Sequence, residues 1–378
     1  MRIAVLTTGR QDWGILRSVC VALRSDPAFQ FRLIAGGMHY SARHGRTASL
    51  IEQQGFTIDE ALPFTSNDGD QTAAQECGAM MPLLERALRR LSAQALLLIG
   101  DRFETLAAAM TAALVRVPVV HLHGGEQTQG AVDDLFRHAI TKLSHLHFVS
   151  HPSHAARVVA MGEDPKTVHM VGAPGLDNAH RIDLPTREDL ERHLGIPLKA
   201  PVVLVTLHPA TLGDDPALEA TAVAAAMDEV PATYVITLPN SDPGNEITRA
   251  ILMSAAAQPG RIAAQALGEA RYWALLRLAD AVLGNSSSGL IEAPVYALPA
   301  VNVGRRQLGR LRGANVIDVV ADKDAIVTGL RRALGAEFRI SIKGTVSPYG
   351  DGHAGERIRD VLVRWTPPQP PVKAPVLP

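Results

Sequence analysis

Short, wholly apolar segments alternate with longer helix-like segments along this chain. Examples are Arg2–Thr8, Phe31–Gly36 and Val202–Leu207. Strands that are apolar on both faces are typical of parallel sheets covered by helices on both sides. No period of 20–50 residues repeats, which excludes a solenoid. The alternation therefore predicts an α/β fold.

A charged segment with several prolines, residues 173–200, interrupts this alternation. A second alternating series follows it, and a length of 378 residues favours two domains over one or three. We predict two Rossmann-like domains with a central cleft. The first spans 1–175, and the second spans 176–366, with its last helix packing back. Residues 367–378 form a tail that is half proline and has no packed core of its own.

Charge and cysteine content exclude several classes of protein. The chain has 37 basic and 38 acidic side chains and a formal net charge of −1, so no basic excess exists to neutralise nucleic-acid phosphates. Its two cysteines, Cys20 and Cys77, exclude a disulfide framework and fit a reducing compartment. The apolar run at the N-terminus is too short for a signal peptide or a membrane span. We expect a cytoplasmic protein with no nucleic-acid or membrane partner.

Ionisable residues are concentrated in the stretch 95–142. Two apolar strands there end in polar residues, Gly-Asp-Arg at 100–102 and His-Gly-Gly-Glu at 123–126. Ligands of open parallel sheets bind outside the carboxyl ends of the strands. The ionisable residues of these strand ends and of the following helix start are Asp101, Arg102, His123, Glu126, Asp133, Asp134, Arg137 and His138.

Asp101 and Glu126 follow two neighbouring strands and form the main acid–base hypothesis. Two carboxyl groups in different surroundings can have different pKa values and share acid and base work. The alternative is that both pair with Arg102 and Arg137 and serve only the architecture. Asp133 and Asp134 also fit a helix start, where acidic residues favour the helix dipole.

Cofactor motifs are absent from the sequence. His121 and His123 alternate onto one face of a predicted strand, but other ligands at metal-site spacing are missing. No GxGxxG follows the first strand and no GxxxxGK[ST] occurs. We expect no metal and no cofactor.

The segment Gly284–Gly289 (GNSSSG) follows a strand and opens a helix. Serine hydroxyls and backbone N–H groups at a helix start suit a phosphate. The alternative is a simple serine N-cap, although a cap requires one serine rather than three. Glu292, one turn later, is then a candidate ligand of ribose hydroxyls.

Four further residues at predicted strand ends are weaker candidates. Arg306 lies in a cluster of four arginines, which suits a diphosphate but also fits a solvated charge run. His208 is a candidate proton donor to a leaving group, or a histidine that only completes the strand end. Asn240 and Arg10 follow other strands as single polar groups.

These motifs together resemble the hydrolysing UDP-N-acetylglucosamine 2-epimerases of bacterial sialic and legionaminic acid biosynthesis. The likeness runs in one order to Arg364, and the combination of GDR, HGGE and DDxxRHAITK is specific. The matching motifs are TGRQDWGIL at 8–16, YSARHGRT at 40–47, GDRFETL at 100–106, HLHGGE at 121–126, DDLFRHAITKLSHLH at 133–147, LHP at 207–209, GNSSSGLIE at 284–292, VGRRQLGR at 303–310 and YGDG at 349–352.

The resemblance implies a glycosyltransferase-B-like fold, with acid and base groups on the first domain and the nucleotide mainly on the second. Animal members of the family carry a glutamate at the position of His123, which shifts the acid–base assignment here to Asp101 and Glu126, with one of Asp133 and Asp134 as a third acid. The implied catalytic residues are Asp101, Glu126, Asp134 and His208. The implied UDP-binding residues are Arg10, Arg102, Asn240, Ser286, Ser287, Glu292 and Arg306.

The implied reaction converts UDP-N-acetylglucosamine, or a UDP-diacetamido sugar, and water to UDP and N-acetylmannosamine or its analogue. It proceeds by elimination of UDP to a 2-acetamidoglucal and rehydration. Relatives of this kind form a homodimer or homotetramer. Three alternatives remain open: a non-hydrolysing 2-epimerase, a glycosyltransferase on the same fold, and a catalytically silent sugar-nucleotide binder.

Overall fold

The chain folds into two compact units. The computed structural model describes residues 1–66, 71–127, 133–209, 215–239, 245–264 and 267–373. The first unit comprises Met1–Asp177 and Gly352–Pro378, and the second comprises Asn178–Asp351. The last helix groups with the first unit, and the sequence predicted it as the end of the second domain that packs back.

The first unit is built on a parallel seven-stranded sheet in the order β3-β2-β1-β4-β5-β6-β7. Its strands are β1 Arg2–Thr7, β2 Gln30–Gly36, β3 Glu60–Leu62, β4 Ala95–Ile99, β5 Val119–Leu122, β6 Leu146–Val149 and β7 Val168–Met170. Its helices are α1 Arg10–Ser25, α2 Ala48–Gln53, α3 Ala73–Arg90, α4 Phe103–Leu114, α5 Asp133–Leu143, α6 Pro152–Ala160 and α14 Ala354–Arg364.

The strands of this sheet are mainly apolar because each of their faces lines a separate core. In β1, Ile3 and Val5 pack with α1, whereas Ala4 and Leu6 pack with α3 and α4. Successive strand residues point to opposite faces, so a strand covered on both sides favours apolar side chains at every position.

Helix α14 reaches the first unit from the carboxyl end of the chain. Its residues Ile358 and Leu362 are buried in the same core as α1, and each such side chain contributes about 1.5–3 kcal/mol when fully buried. The carboxylate of Asp177 accepts hydrogen bonds from the backbone N–H groups of Ala354, at 2.9 Å, and Gly355, at 2.7 Å. These bonds satisfy two of the unpaired donors at the start of the helix.

The second unit is built on a parallel six-stranded sheet in the order β10-β9-β8-β11-β12-β13. Its strands are β8 Val202–Thr206, β9 Thr233–Thr237, β10 Arg261–Ala264, β11 Ala281–Gly284, β12 Ala300–Val303 and β13 Val316–Val319. Its helices are α7 Arg187–Leu194, α8 Pro216–Glu229, α9 Asn245–Ala256, α10 Gly268–Leu278, α11 Ser288–Ile291, α12 Lys323–Leu334 and α13 Ala336–Ser341.

Both sheets follow the Rossmann order, in which the direction of winding reverses at one pair of strands. The reversal lies between β1 and β4 in the first unit and between β8 and β11 in the second. Ligands of such sheets bind at the carboxyl ends of the strands beside this reversal. The predicted α/β class with two parallel sheets is confirmed. No helix within the described ranges is long and apolar enough to cross a bilayer.

Candidate active site

Arg137, on α5, is the centre of the polar cluster in the first unit. Its side chain is 4% exposed, and one guanidinium nitrogen, Nη2, donates to Oδ2 of Asp101. The other, Nη1, donates to Oδ1 of Asp134 at 2.5 Å and to the carbonyl oxygen of Glu126 at 2.8 Å. One arginine therefore brings together three of the predicted catalytic residues. From the sequence alone, Arg137 was considered only as an ion-pair partner.

The local structure explains how these residues meet. Parallel pairing sets Ile99 of β4 opposite Leu122 of β5, so Asp101 and the His123–Glu126 segment follow adjacent strand ends. Asp134 lies in the first turn of α5, and Arg137 follows three residues later on the same helix face. Ion pairing of Asp101 with Arg137, the architectural alternative, is thus present in the structure.

Glu126 is held by a second set of polar side chains. Its Oε1 accepts a hydrogen bond from Nδ1 of His123 at 2.6 Å and one from Oγ of Ser150 at 3.2 Å. Burial alone would raise the pKa of Glu126, but the charge and hydrogen bond of His123, and the charges of His154 and Arg137, hold it well below its ordinary range. Glu126 is therefore ionised at neutral pH.

Asp133 shows the opposite behaviour. Burial and the negative charge of Asp101 raise the pKa of the Asp133 carboxyl above its ordinary value. When two carboxyl groups in one cluster have a raised and a lowered pKa, the first can act as an acid and the second as a base. Sequence reasoning had selected Asp134 as the third acid, but Asp134 is bound to Arg137, so Asp133 is an equally strong candidate.

The sequence predicted that His121 and His123 share one face of a strand, but the structure does not place them in this way. Strand β5 ends at Leu122, and His123 has a left-handed backbone conformation with φ +65°. His121 is fully buried, and its Nε2 lies 2.8 Å from the carbonyl oxygen of Gly100, directly before Asp101. Burial lowers the pKa of His121 to about 3, so the ring is neutral and holds the strand end by a single hydrogen bond.

The architectural alternative allowed Arg102 to pair with Asp101 or Glu126, but Arg102 pairs with neither of these carboxylates. It forms two hydrogen bonds with the buried carboxylate of Glu104, at 2.6 and 3.1 Å. Burial would lower the pKa of Arg102, but the bonds and charge of Glu104 raise it. The side chain is 36% exposed, so its guanidinium is both fixed and accessible. Arg10 is exposed at the start of α1.

In the second unit, Asn285 fixes the end of strand β8. Its Oδ1 accepts from the backbone N–H of His208, and its Nδ2 donates to the carbonyl of His208, both at 2.8 Å. Asn285 is fully buried, and its own carbonyl accepts bonds from Arg306 at 3.3 Å and from Gln307 at 2.8 Å. Asn285 thus brings His208 and Arg306 together, a role that sequence reasoning did not assign to it.

The turn that contains Ser286, Ser287 and Ser288 has a different hydrogen-bond arrangement from a simple N-cap. Ser287 occupies the N-cap position of the short helix α11 without a side-chain capping bond, and Ser286 Oγ accepts from the backbone N–H of Ser288 at 3.3 Å. The hydroxyl of Tyr272 donates to Oγ of Ser288 at 2.6 Å. Only Ser286 and Ser287 are therefore candidates for a ligand.

Glu292 is buried beside this turn. Burial raises its pKa, and its Oε2 has no hydrogen-bond partner among the residues that the structure describes. A buried carboxyl oxygen of this kind suits a ligand hydroxyl, because an unmet polar group otherwise costs free energy. Asn240 lies outside the described residues. Across the described ranges, no group of three or more His, Cys, Asp or Glu residues is arranged to hold a metal ion.

Two Rossmann-ordered parallel sheets, with polar groups gathered at their strand ends, define a glycosyltransferase-B-like α/β fold. Residues 21–363 match the model of a family described as UDP-N-acetylglucosamine 2-epimerase. The chain belongs to this family, so the resemblance inferred from its motifs is confirmed, and so is its prediction as an enzyme.

Two relatives and one solved structure illustrate the relationship. A Legionella pneumophila protein named UDP-N,N′-diacetylbacillosamine 2-epimerase (hydrolyzing) is 35% identical over 96% of this chain and 95% of its own length. A Campylobacter jejuni protein named GDP/UDP-N,N′-diacetylbacillosamine 2-epimerase (hydrolyzing) is 33% identical over 84% of each chain. The Neisseria meningitidis UDP-GlcNAc 2-epimerase bound to UDP-GlcNAc has the same fold, with a TM-score of 0.83 at 16% identity, over 96% of this chain and 100% of that one.

Proposed function

We propose that this enzyme is a hydrolysing 2-epimerase of UDP-linked 2-acetamido sugars. It converts the UDP-sugar and water to UDP and the free sugar with inverted configuration at C2. The observation that carries the proposal is the cluster in which Arg137 binds Asp101, Asp134 and the carbonyl of Glu126. Family membership supports it, as do the two relatives above 30% identity with "hydrolyzing" in their names.

The chemistry requires more than one acid–base group. The hydrogen on C2 of the sugar has no adjacent carbonyl and is not acidic until departure of UDP makes C1 cation-like. A base then takes the C2 proton, the C–H electron pair forms the C1=C2 bond, and the C1–O pair leaves with UDP. Water adds its hydroxyl to C1 of the resulting 2-acetamidoglucal, and C2 receives a proton from the opposite face. Asp101, Glu126 and Asp134 are the proposed acid–base set.

The second unit supplies the proposed nucleotide-binding groups. Arg306 and the hydroxyls of Ser286 and Ser287 stabilise the charge that develops on the diphosphate, and His208 supplies a proton to it. Glu292, with its buried unpartnered oxygen, binds a ribose hydroxyl. Arg10, Arg102 and Asn240 complete the proposed UDP-binding set.

Two substrates fit this proposal. UDP-N-acetylglucosamine is the substrate after which the family is described, and UDP-N,N′-diacetylbacillosamine appears in the names of two relatives. The second is favoured, because both of those relatives exceed 30% identity to this chain. The two sugars differ at C4 and C6, away from the carbon atoms that react.

Product analysis with both sugar nucleotides tests the proposal. Phosphorus NMR follows the release of UDP, and proton NMR identifies the sugar. We expect free UDP and a free 2-epimeric sugar in equal amounts from at least one substrate. A product that keeps its UDP would identify a non-hydrolysing epimerase, and transfer to an added acceptor would identify a glycosyltransferase. Binding of UDP without turnover of either substrate would identify a silent binder.

A further inference from the structure

His123 has a backbone conformation that is uncommon for a non-glycine residue. Its φ of +65° places it in the left-handed region, which only a few per cent of non-glycine residues adopt, histidine among the more frequent of them. The position is fixed by a hydrogen bond from its backbone N–H to the carbonyl of Phe148, at 3.0 Å. Such conformations are retained where the surrounding structure enforces them, and they are concentrated at functional sites.

The ring of His123 is oriented by Glu126. Its Nδ1 lies 2.6 Å from Oε1 of Glu126, and both side chains are 18% exposed. A carboxylate only accepts hydrogen bonds, so Nδ1 of His123 carries the hydrogen, and Nε2 of the neutral ring carries a lone pair. A carboxylate that fixes the tautomer of a histidine and stabilises its protonated form is the arrangement found in serine hydrolases.

The second ring nitrogen of His123 is the atom left for chemistry. Nε2 has no hydrogen-bond partner among the residues that the structure describes. An unpartnered ring nitrogen also occurs at His121, but that side chain is completely enclosed, whereas the His123 side chain is 18% exposed although its Nε2 atom is itself buried. His123 also follows β5 directly, beside the end of β4 that carries Asp101.

Glu126 is a poor proton acceptor by comparison. Its Oε1 already accepts hydrogen bonds from His123 and Ser150. The same contacts keep its pKa below the ordinary range, and a carboxylate of low pKa is a weak base. The carboxylate is therefore better suited to orient and stabilise a histidine than to take a proton from carbon.

We propose that His123, oriented by Glu126, is the base that takes the C2 proton of the sugar. This step rests on the proposed function. The C2–H bond breaks toward Nε2 of His123, its electron pair forms the C1=C2 bond, and the C1–O electron pair leaves with UDP. The imidazolium that forms is stabilised by the ionised Glu126. In this assignment Glu126 acts as a positioning residue rather than as a member of the acid–base set, and rehydration of the 2-acetamidoglucal uses Asp101 and Asp134.

The His123→Asn variant tests this assignment. Asparagine tolerates the left-handed conformation and can donate to Glu126, but it does not exchange a proton at neutral pH. We expect UDP release to fall by about 10²-fold or more. Binding of UDP, measured by calorimetry, should stay within about twofold of wild type. Hydration of added 2-acetamidoglucal in the presence of UDP should stay within about threefold, because that step does not use His123. His193→Asn, an exposed change on α7, is the matched control.

A second variant distinguishes chemistry from packing. His123→Gly relieves the backbone conformation and removes the ring, so added imidazoles can replace it. Rescue of UDP release by imidazole and its methyl derivatives should rise with the pKa of the added base. UDP release by His123→Asn at the wild-type rate, equal loss of both half-reactions, or absent or pKa-independent rescue would overturn the assignment. A wild-type enzyme that releases no UDP from either substrate would instead overturn the proposed function, and this assignment with it.

Discussion

Arg137 forms an ion pair with Asp101, a residue 36 positions earlier in the chain. The pair connects helix α5 to the end of strand β4. Because Arg137 also binds Asp134 and the carbonyl of Glu126, one buried guanidinium fixes three segments of the proposed acid–base site. The ion pair is thus compatible with both interpretations made from the sequence: it is architectural, and it sets the positions of groups proposed to react.

Replacing Arg137 with methionine should lower both stability and activity. The substitution takes the Arg137 ion pair away from Asp101 and Asp134, whose side chains are 26% and 25% exposed. We expect a loss of about 2–4 kcal/mol in the free energy of unfolding. UDP release should fall by at least about 10²-fold.

Urea titration and a UDP-release assay measure the two effects of Arg137→Met. Arg89→Met is the control, because Arg89 is exposed and pairs with the exposed Glu85. That change should cost less than about 0.5 kcal/mol. Equal stability and activity of Arg137→Met and wild type would show that Arg137 does not organise the site.

Glu163 should make the first unit sensitive to acid. Burial would raise its pKa, but hydrogen bonds from His147, Lys142 and Lys373 lower it to about 2. A carboxyl group with a lowered folded-state pKa adds stability that is complete above its unfolded value and is lost as the pH falls toward 2. The contribution is on the order of 3 kcal/mol.

Urea unfolding at pH 7, 5, 4 and 3 tests the role of Glu163. Glu163→Gln should be less stable than wild type at pH 7, and the difference should shrink steadily below about pH 5. Glu85→Gln, at an exposed position, should show no such trend. A Glu163→Gln deficit that is the same at pH 7 and pH 3 would contradict the explanation.

Gly284 should not tolerate alanine. It ends strand β11 with φ +136°, and a Cβ atom there would overlap the carbonyl of Thr206 in the neighbouring strand β8. We expect a lowered thermal unfolding midpoint for Gly284→Ala, with a loss of at least about 2 kcal/mol.

Gly78 provides the matched control for this substitution. It lies within helix α3, and a Cβ atom there would meet nothing within 4 Å. Gly78→Ala should therefore raise stability by about 0.5–1 kcal/mol. The explanation fails if the two substitutions change the midpoint by the same amount.

Asn285 should be required for binding of UDP. Its Nδ2 donates to the carbonyl of His208, so Asn285→Asp would set an acceptor oxygen against another acceptor. We expect the affinity for UDP, measured by calorimetry, to fall by at least about tenfold, which corresponds to about 1.4 kcal/mol. Asn245→Asp, at the start of α9, is the control. An unchanged UDP affinity in Asn285→Asp would remove this residue from the nucleotide-binding site.

The fold class was predictable from sequence because it depends on periodicity. Strand β1, apolar on both faces, indicated a sheet with a core on each side, and strands of the same kind recur along both units. For the end of the chain, the sequence predicted an amphipathic last helix that packs back. Its apolar pattern did not identify α1 as the helix whose core Ile358 and Leu362 of α14 share.

The candidate site was predictable in position but not in its pairings. Strand ends pointed to Asp101 and Glu126, but the partner of each ionisable group depends on side-chain geometry. Arg102 pairs with Glu104, two residues later in the chain, whereas Arg137 is the residue that binds the other members of the cluster. The backbone conformation of His123 was equally invisible in the sequence, because most histidines have a negative φ.

The most direct test of the account is a turnover experiment in deuterated water. The enzyme is incubated with UDP-N,N′-diacetylbacillosamine and, separately, with UDP-N-acetylglucosamine, and the free sugar is examined by NMR and mass spectrometry. A hydrolysing 2-epimerase that acts through a 2-acetamidoglucal must release UDP and incorporate one deuterium at C2 of the product. Release of UDP with the original hydrogen retained at C2, or the absence of UDP release from both substrates, would contradict the proposed mechanism.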